Sequence, residues 1–214
     1  MTMTVTLSAR DLFQTAYENR YTWDEAFPGF EADVVVHQGE VAHRGHVCIG
    51  ADLKFEISKV DDDETRQLLE RQVQDVMTHR RRQSFAQAHS RNEFSLGDQG
   101  ADGSVAIQVR GDAMGSHYRV TGPVITQVSR TMGGMTFTID TLAWEQTPQG
   151  YLPTHYQAVF RQADTGELVR EVDFQDSYTS AGRYYLLQRQ VLTVASGDQM
   201  TTTTLEFQNL HLLP

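Results

Sequence analysis

Near the N-terminus, Leu12, Phe13, Ala16, Tyr17 and Tyr21 recur at the spacing that lines one face of a helix. Ser8, followed three residues on by Asp11, supplies a capping-box signature in front of them, and Pro28-Gly29 turns the chain afterwards. The pattern predicts a first helix over about residues 9–21. Three short strands follow at Phe30–His37, Val41–Ile49 and Leu53–Ser58, with turns at Gly39-Glu40 and Gly50-Ala51-Asp52. Asp61-Asp62-Asp63-Glu64 then opens a second helix, because carboxylates favour the positive end of the helix dipole. Leu69, Val73, Val76 and Met77 carry its apolar face, and the pattern extends it to about Ala88.

From Glu93 onward the period shortens to two. Val105, Ile107 and Val109 alternate with polar residues, as do Val124, Thr126 and Val128, then Met135, Phe137 and Ile139. Longer runs follow at Tyr151–Gln162, Glu167–Tyr178, Arg183–Ala195 and Met200–Leu213, separated by glycine-bearing turns such as Met132-Gly-Gly and Asp164-Thr-Gly. No helix separates these strands, so parallel crossover units are excluded there. The predicted fold is α+β: a strongly curved antiparallel sheet of roughly ten strands, an open or partial barrel, with two main helices packed against or inside its concave face. The absence of a linker-like or repetitive segment predicts a single domain over residues 1–214, with residues 1–8 disordered.

Composition narrows the partners. Eighteen Lys+Arg against 28 Asp+Glu leave a net charge of −10, which repels phosphate backbones and makes nucleic acid a poor partner. The lone cysteine, Cys48, cannot pair internally, so a reducing compartment is expected. No apolar run approaches the length of a membrane span and no basic-then-apolar leader is seen, so a cytoplasmic location is expected.

Candidate chemistry is sparse. His37, His43, His46 and Cys48 fall on one hairpin, but strand side chains alternate faces: 46 and 48 share one and 43 takes the other. Glu171, Asp173, Asp176 and Tyr178 invite an acid/base reading that would need an enclosed geometry. There is no phosphate-binding loop, no Gly-x-Ser-x-Gly and no His-Glu-x-x-His. No cofactor, no metal and no catalytic residue is therefore expected. Arg80, Arg81 and Arg82 end the second helix, where they complement its dipole or form a patch for an acidic protein partner. The strands are rich in aromatic residues, and a curved sheet lined by them can hold an apolar molecule. Phe137, Trp144 and Tyr156 are candidate ligand contacts, with Arg20, Tyr21 and Trp23 at the end of the first helix as candidate mouth residues.

Ala9-Arg-Asp-Leu-Phe13, Ala16-Tyr-Glu-Asn-Arg-Tyr-Thr-Trp23, Phe27-Pro-Gly-Phe-Glu-Ala-Asp33, Arg82-Gln-Ser-Phe85, Ala113-Met-Gly115, Tyr118-Arg-Val120 and Asp173-Phe-Gln-Asp-Ser-Tyr178 give the chain a likeness to a known family. They resemble a cyanobacterial family of uncharacterised proteins, domain of unknown function 3386. The resemblance implies a cyanobacterial cytoplasmic setting and carries no assigned chemistry. In element order the chain is also similar to lipoprotein-carrier folds, where a curved antiparallel sheet wraps around helices. The expected function is that of a non-enzymatic binding protein holding a lipid, pigment or other apolar molecule. The alternatives are an assembly factor for a partner protein, for instance of the photosynthetic apparatus, and an enzyme with an unrecognised acid/base site.

Overall fold

The computed structural model describes residues 7–111 and 116–214. The Ala113-Met-Gly115 segment lies outside the described residues, as does the expected disordered stretch as far as residue 6. Ser8 itself is placed: its hydroxyl accepts from the Asp11 amide at 3.2 Å, and Asp11 Oδ2 accepts from the Ser8 amide at 3.3 Å. This reciprocal cap starts helix α1, Ala9–Glu18.

Helix α1 is shorter than its apolar pattern predicts. The Tyr21 amide leaves the helical ladder and donates to the Tyr151 carbonyl at 2.9 Å, while the Tyr151 amide donates to Asn19 O at 2.8 Å. The chain is thereby drawn into a β-bridge, Arg20 against Tyr151. Gly150 makes this approach feasible, since at its φ of +136° a Cβ would collide with the Asn19 carbonyl.

Strands β1 (Gly29–Gln38), β2 (Val41–Gly50) and β3 (Phe55–Ser58) fall where the alternation puts them. The expected single second helix is two helices. Helix α2, Asp63–Arg80, is capped by Asp62, whose carboxylate accepts from the Thr65 amide at 2.7 Å. It stops because Arg81 adopts an extended backbone with ψ 122°, and Ser84 with Gln87 then forms a fresh capping box for α3, Phe85–His89.

Nine strands complete the chain: β4 (Glu93–Gln99), β5 (Val105–Arg110), β6 (Ser116–Thr121), β7 (Val124–Met132), β8 (Met135–Thr147), β9 (Gly150–Gln162), β10 (Leu168–Ala181), β11 (Tyr184–Ser196) and β12 (Gln199–Leu212). Among the described residues the sheet therefore holds twelve strands, where the sequence predicts about ten. The two additional ones are β4, whose exposed polar residues hide its alternation, and β6, which is only six residues long. Hydrogen-bonded order runs β3-β2-β1-β12-β11-β10-β9-β8-β7-β6-β5-β4, so the sheet is open at β3 and β4 and not closed into a barrel.

The contacts gather into two compact units interleaved along the chain, which is why no linker composition marks a boundary. The first comprises residues up to Tyr21 and Gln83–Val172. Its core packs Phe13, Ala16 and Tyr17 of α1 and Phe85 of α3 against Ile107, Val109, Tyr118 and Val120 of β5 and β6. The second comprises Thr22–Arg82 and Asp173–Pro214. Its core contains Val34, Val36, Val47, Leu69, Val73, Leu186 and Leu205. There Trp23 stacks on Phe27 with ring centroids 4.1 Å apart and planes 13° apart.

Candidate functional site

In the first unit the sheet face beneath α1 continues beyond the helix. Register places Tyr118 opposite Val128, Val128 opposite Ile139, and Ile139 opposite Ala158. Opposed residues share a face, so these four form one row across β6 to β9. Val128 still packs against the closed core. Past it, Phe137, Ile139, Tyr156 and Phe160 remain only partly buried. Period two then assigns Thr136, Thr138, Asp140, Gln157 and Arg161 to the opposite, polar face. The pair β8/β9 is thus amphipathic, with an apolar strip that its own unit does not fully cover.

Two guanidiniums border the strip. Arg130 lies opposite Phe137, and Phe137 lies opposite Phe160 with ring centroids 6.2 Å apart. The Arg170 guanidinium rests 4.3 Å from the centroid of Phe160. Arg130 donates to the Tyr118 hydroxyl at 2.9 Å. Neither arginine forms an ion pair with a described carboxylate. The end of β7 and the start of β10 hold Met132 and Leu168, 72% and 49% exposed, extending the apolar surface.

The sequence candidates distribute unequally. Phe137 and Tyr156 lie on the strip, and Trp144 stands farther along β8, 39% exposed. Tyr21 is buried, and the Arg20 guanidinium lies 3.8 Å from the Tyr17 ring centroid while its Nε donates to Tyr17 O at 3.0 Å. Trp23 is buried in the second unit, where its indole N–H donates to Tyr185 O at 3.3 Å. Reading residues one at a time missed Phe160 as the partner of Phe137, together with Ile139, Arg130 and Arg170. The period-two spacing of 137/139 and 156/158/160 was visible, but their meeting depends on register.

The arginine run also divides. Arg80 Nη2 donates to the Tyr178 hydroxyl at 2.9 Å, and that hydroxyl donates to Asp176 Oδ2 at 3.1 Å. Gln190 donates to the other oxygen of Asp176 at 2.9 Å. Burial, aided by the Asp176 charge, pushes the Tyr178 phenol above its ordinary range and keeps it neutral. Of the carboxylates in the acid/base reading, Asp176 joins this network, while Glu171 accepts from Gln157 at 2.7 Å in the first unit. Arg81 and Arg82 are exposed.

An open groove of about 460 Å³ runs beside α2, lined by Phe55, Gln67, Glu70, Arg71, Gln74 and Asp75. Five of these six side chains end in polar or charged groups, a lining that suits a polar molecule better than an apolar one. On the first hairpin His37 lies opposite Ala42 and His46 opposite Asp33. No group of three His, Cys, Asp or Glu among the described residues is placed to hold a metal ion.

Over residues 4–213 the chain matches the model of a family described as protein of unknown function (DUF3386), and it belongs to that family. No curated protein matches it at a significant level. Among solved structures, it is similar to a DUF1329 family protein from Desulfovibrio piger at 10% identity and a TM-score of 0.32, covering 97% of this chain and 94% of that one. It is also similar to a chain in the structure of the Pseudomonas aeruginosa MucA/MucB complex at 11% identity and a TM-score of 0.27, covering 94% of this chain and 93% of that one.

Proposed function

We propose that this protein is a non-catalytic binding protein that holds an apolar molecule with an anionic end against the strip on β8 and β9. The observation that carries this reading is the row Arg130–Phe137–Phe160–Arg170. Two partly exposed phenyl rings lie side by side, bordered by two arginines that no described carboxylate neutralises. Burying such rings contributes about 25 cal/mol per Å² of apolar surface removed from water. A guanidinium at the border fixes the polar end of a ligand through charge-assisted hydrogen bonds.

The test is a fluorescence titration with dansyl-undecanoic acid and with its methyl ester. Saturable binding of the acid is expected, weakened about tenfold or more by Phe160→Asp, which places a charge on the apolar strip. Arg170→Gln should weaken the acid and leave the ester unchanged. Absence of saturable binding, or binding indifferent to Phe160→Asp, overturns the reading.

A second reading has its own observation. Arg81 and Arg82 follow the last residue of α2, exposed and without an ion pair among the described residues, and so suit an acidic segment of a partner protein. A failed titration would make this the working model.

A further inference from the structure

On the polar face of the second unit, β1, β2 and β12 bring two histidines and two carboxylates together. Val34 pairs with Phe207 and Asp33 with Gln208, so a regular ladder would set Leu210 opposite Glu31. Instead His211 stands there, because an extra residue interrupts β12 between the Glu31 and Asp33 pairings. Asn209 accommodates this bulge at φ +54°, in the left-handed region that Asn tolerates better than most residues. The side-chain Nδ2 of Asn209 also donates to Asp33 Oδ2 at 2.8 Å. A one-residue slip exchanges the faces of a strand, so the bulge is what aims His211 at the carboxylate.

Both ring nitrogens of His211 face acceptors. Nε2 lies 2.6 Å from Glu31 Oε1, and Nδ1 lies 2.8 Å from the Asn209 carbonyl oxygen. A backbone carbonyl and an ionised carboxylate cannot donate, and a neutral imidazole carries only one N–H. The arrangement is fully bonded only when the ring is the imidazolium. The second oxygen of Glu31 is 3.5 Å from His46 Nε2, and His46 Nδ1 is 3.1 Å from Asp33 Oδ1. Lys59, just past β3, adds positive charge near Asp33, while β3 itself sets Ser58 opposite His46.

We propose that His211 is a proton-dependent clasp that holds the C-terminal end of β12 on β1, closed while its ring is charged and loosened when the charge is lost. The Asn209 carbonyl, then the Glu31 carboxylate, raise the pKa of His211 above its ordinary 6.5. A raised value for a cationic acid makes the clasp fully closed below the ordinary imidazole pKa and progressively open as pH rises through the raised one. At the acid end, hydrogen bonds from Asn209 and His46 hold Asp33 below the usual carboxylate range, so its contribution is lost only as pH falls through that depressed value. Opening unpairs Phe30 from Leu212 and breaks the bond from the Leu213 amide to Gly29 O, 3.1 Å long in the closed state.

The experiment is NMR on the full chain between pH 5.5 and 9, reading the His211 ring protons and the exchange of the Leu213 amide. His211 should titrate above free imidazole. Leu213 protection, corrected for intrinsic base catalysis, should fall across the same transition, by the factor that the measured difference between the closed and open midpoints sets. Glu31→Gln should lower the midpoint and flatten the protection curve. An ordinary midpoint with pH-independent protection of Leu213 in the unmodified protein overturns the clasp, whether or not the variant folds.

Discussion

Phe13 and Phe160 belong to the same compact unit and neighbour the same sheet face, yet they meet opposite fates. Phe13 is fully buried, its ring 4.6 Å from that of Tyr118 and 5.2 Å from the His89 imidazole, within the layer that α1 and α3 form against the sheet. Phe160 lies two strands beyond Val128, where that layer ends, and keeps part of its ring in water. Both occupy strongly apolar positions, so hydrophobicity does not separate them. Cover does. Where the helices reach, aromatic residues become core; where they stop, the same kind of residue becomes a surface suited to binding.

The largest effect that would break this contrast is on stability. Phe13→Ala should destabilise the protein by about 3–5 kcal/mol in denaturant unfolding, the cost of emptying a closed aromatic core. Phe160→Ala should cost less, about 2 kcal/mol or under, because the part of the ring left in water gains no burial on folding. Equal losses would show that the strip is core after all.

Next comes the pH dependence of the closed region. His89 is 7% exposed, and Asn92 Nδ2 donates to its Nδ1 at 2.8 Å, which requires that nitrogen to be unprotonated. Burial first, then the charges of Arg20, Arg130 and Arg10, lower its pKa from 6.5 to about 4. Between those values the unfolded chain binds the extra proton, so this contribution is fully present above pH 6.5 and lost as pH falls through about 4. It amounts to about 3 kcal/mol. Unfolding measured at pH 7 and pH 4.5 should show a loss that His89→Gln reduces; an unchanged loss would mean that His89 is not the group responsible.

The smallest effect sharpens the comparison at the edge of the cover. Ser84→Ala removes the cap of α3, the helix that supplies Phe85 and His89, and should cost about 1 kcal/mol in the same assay. Binding of the dansyl probe at the strip should be unaffected.

Much of the architecture is legible in the sequence. The Ser8–Asp11 cap, the acidic start of α2, and the alternation of the hairpins from β7 to β12 each follow from local periodicity and capping chemistry, which act over a few residues. The end of α1 was not legible, because a carbonyl of Tyr151 claims the Tyr21 amide from across the chain. Nor was the break between α2 and α3 anticipated, although Ser84 and Gln87 spell a capping box.

For the candidate sites the division is sharper. The sequence determined which residues alternate and which charges are present: Phe137 with Ile139, Glu31 with Asp33, and the arginines in an acidic chain. Only the tertiary structure decided that Phe137 meets Phe160 between Arg130 and Arg170, and that His211 rather than Leu210 faces Glu31. The physical reason is register. Side-chain direction in a strand repeats every two residues, so one extra residue at Asn209 changes which group is presented. The pairing that fixes this joins residues some 180 positions apart, beyond the reach of any local pattern.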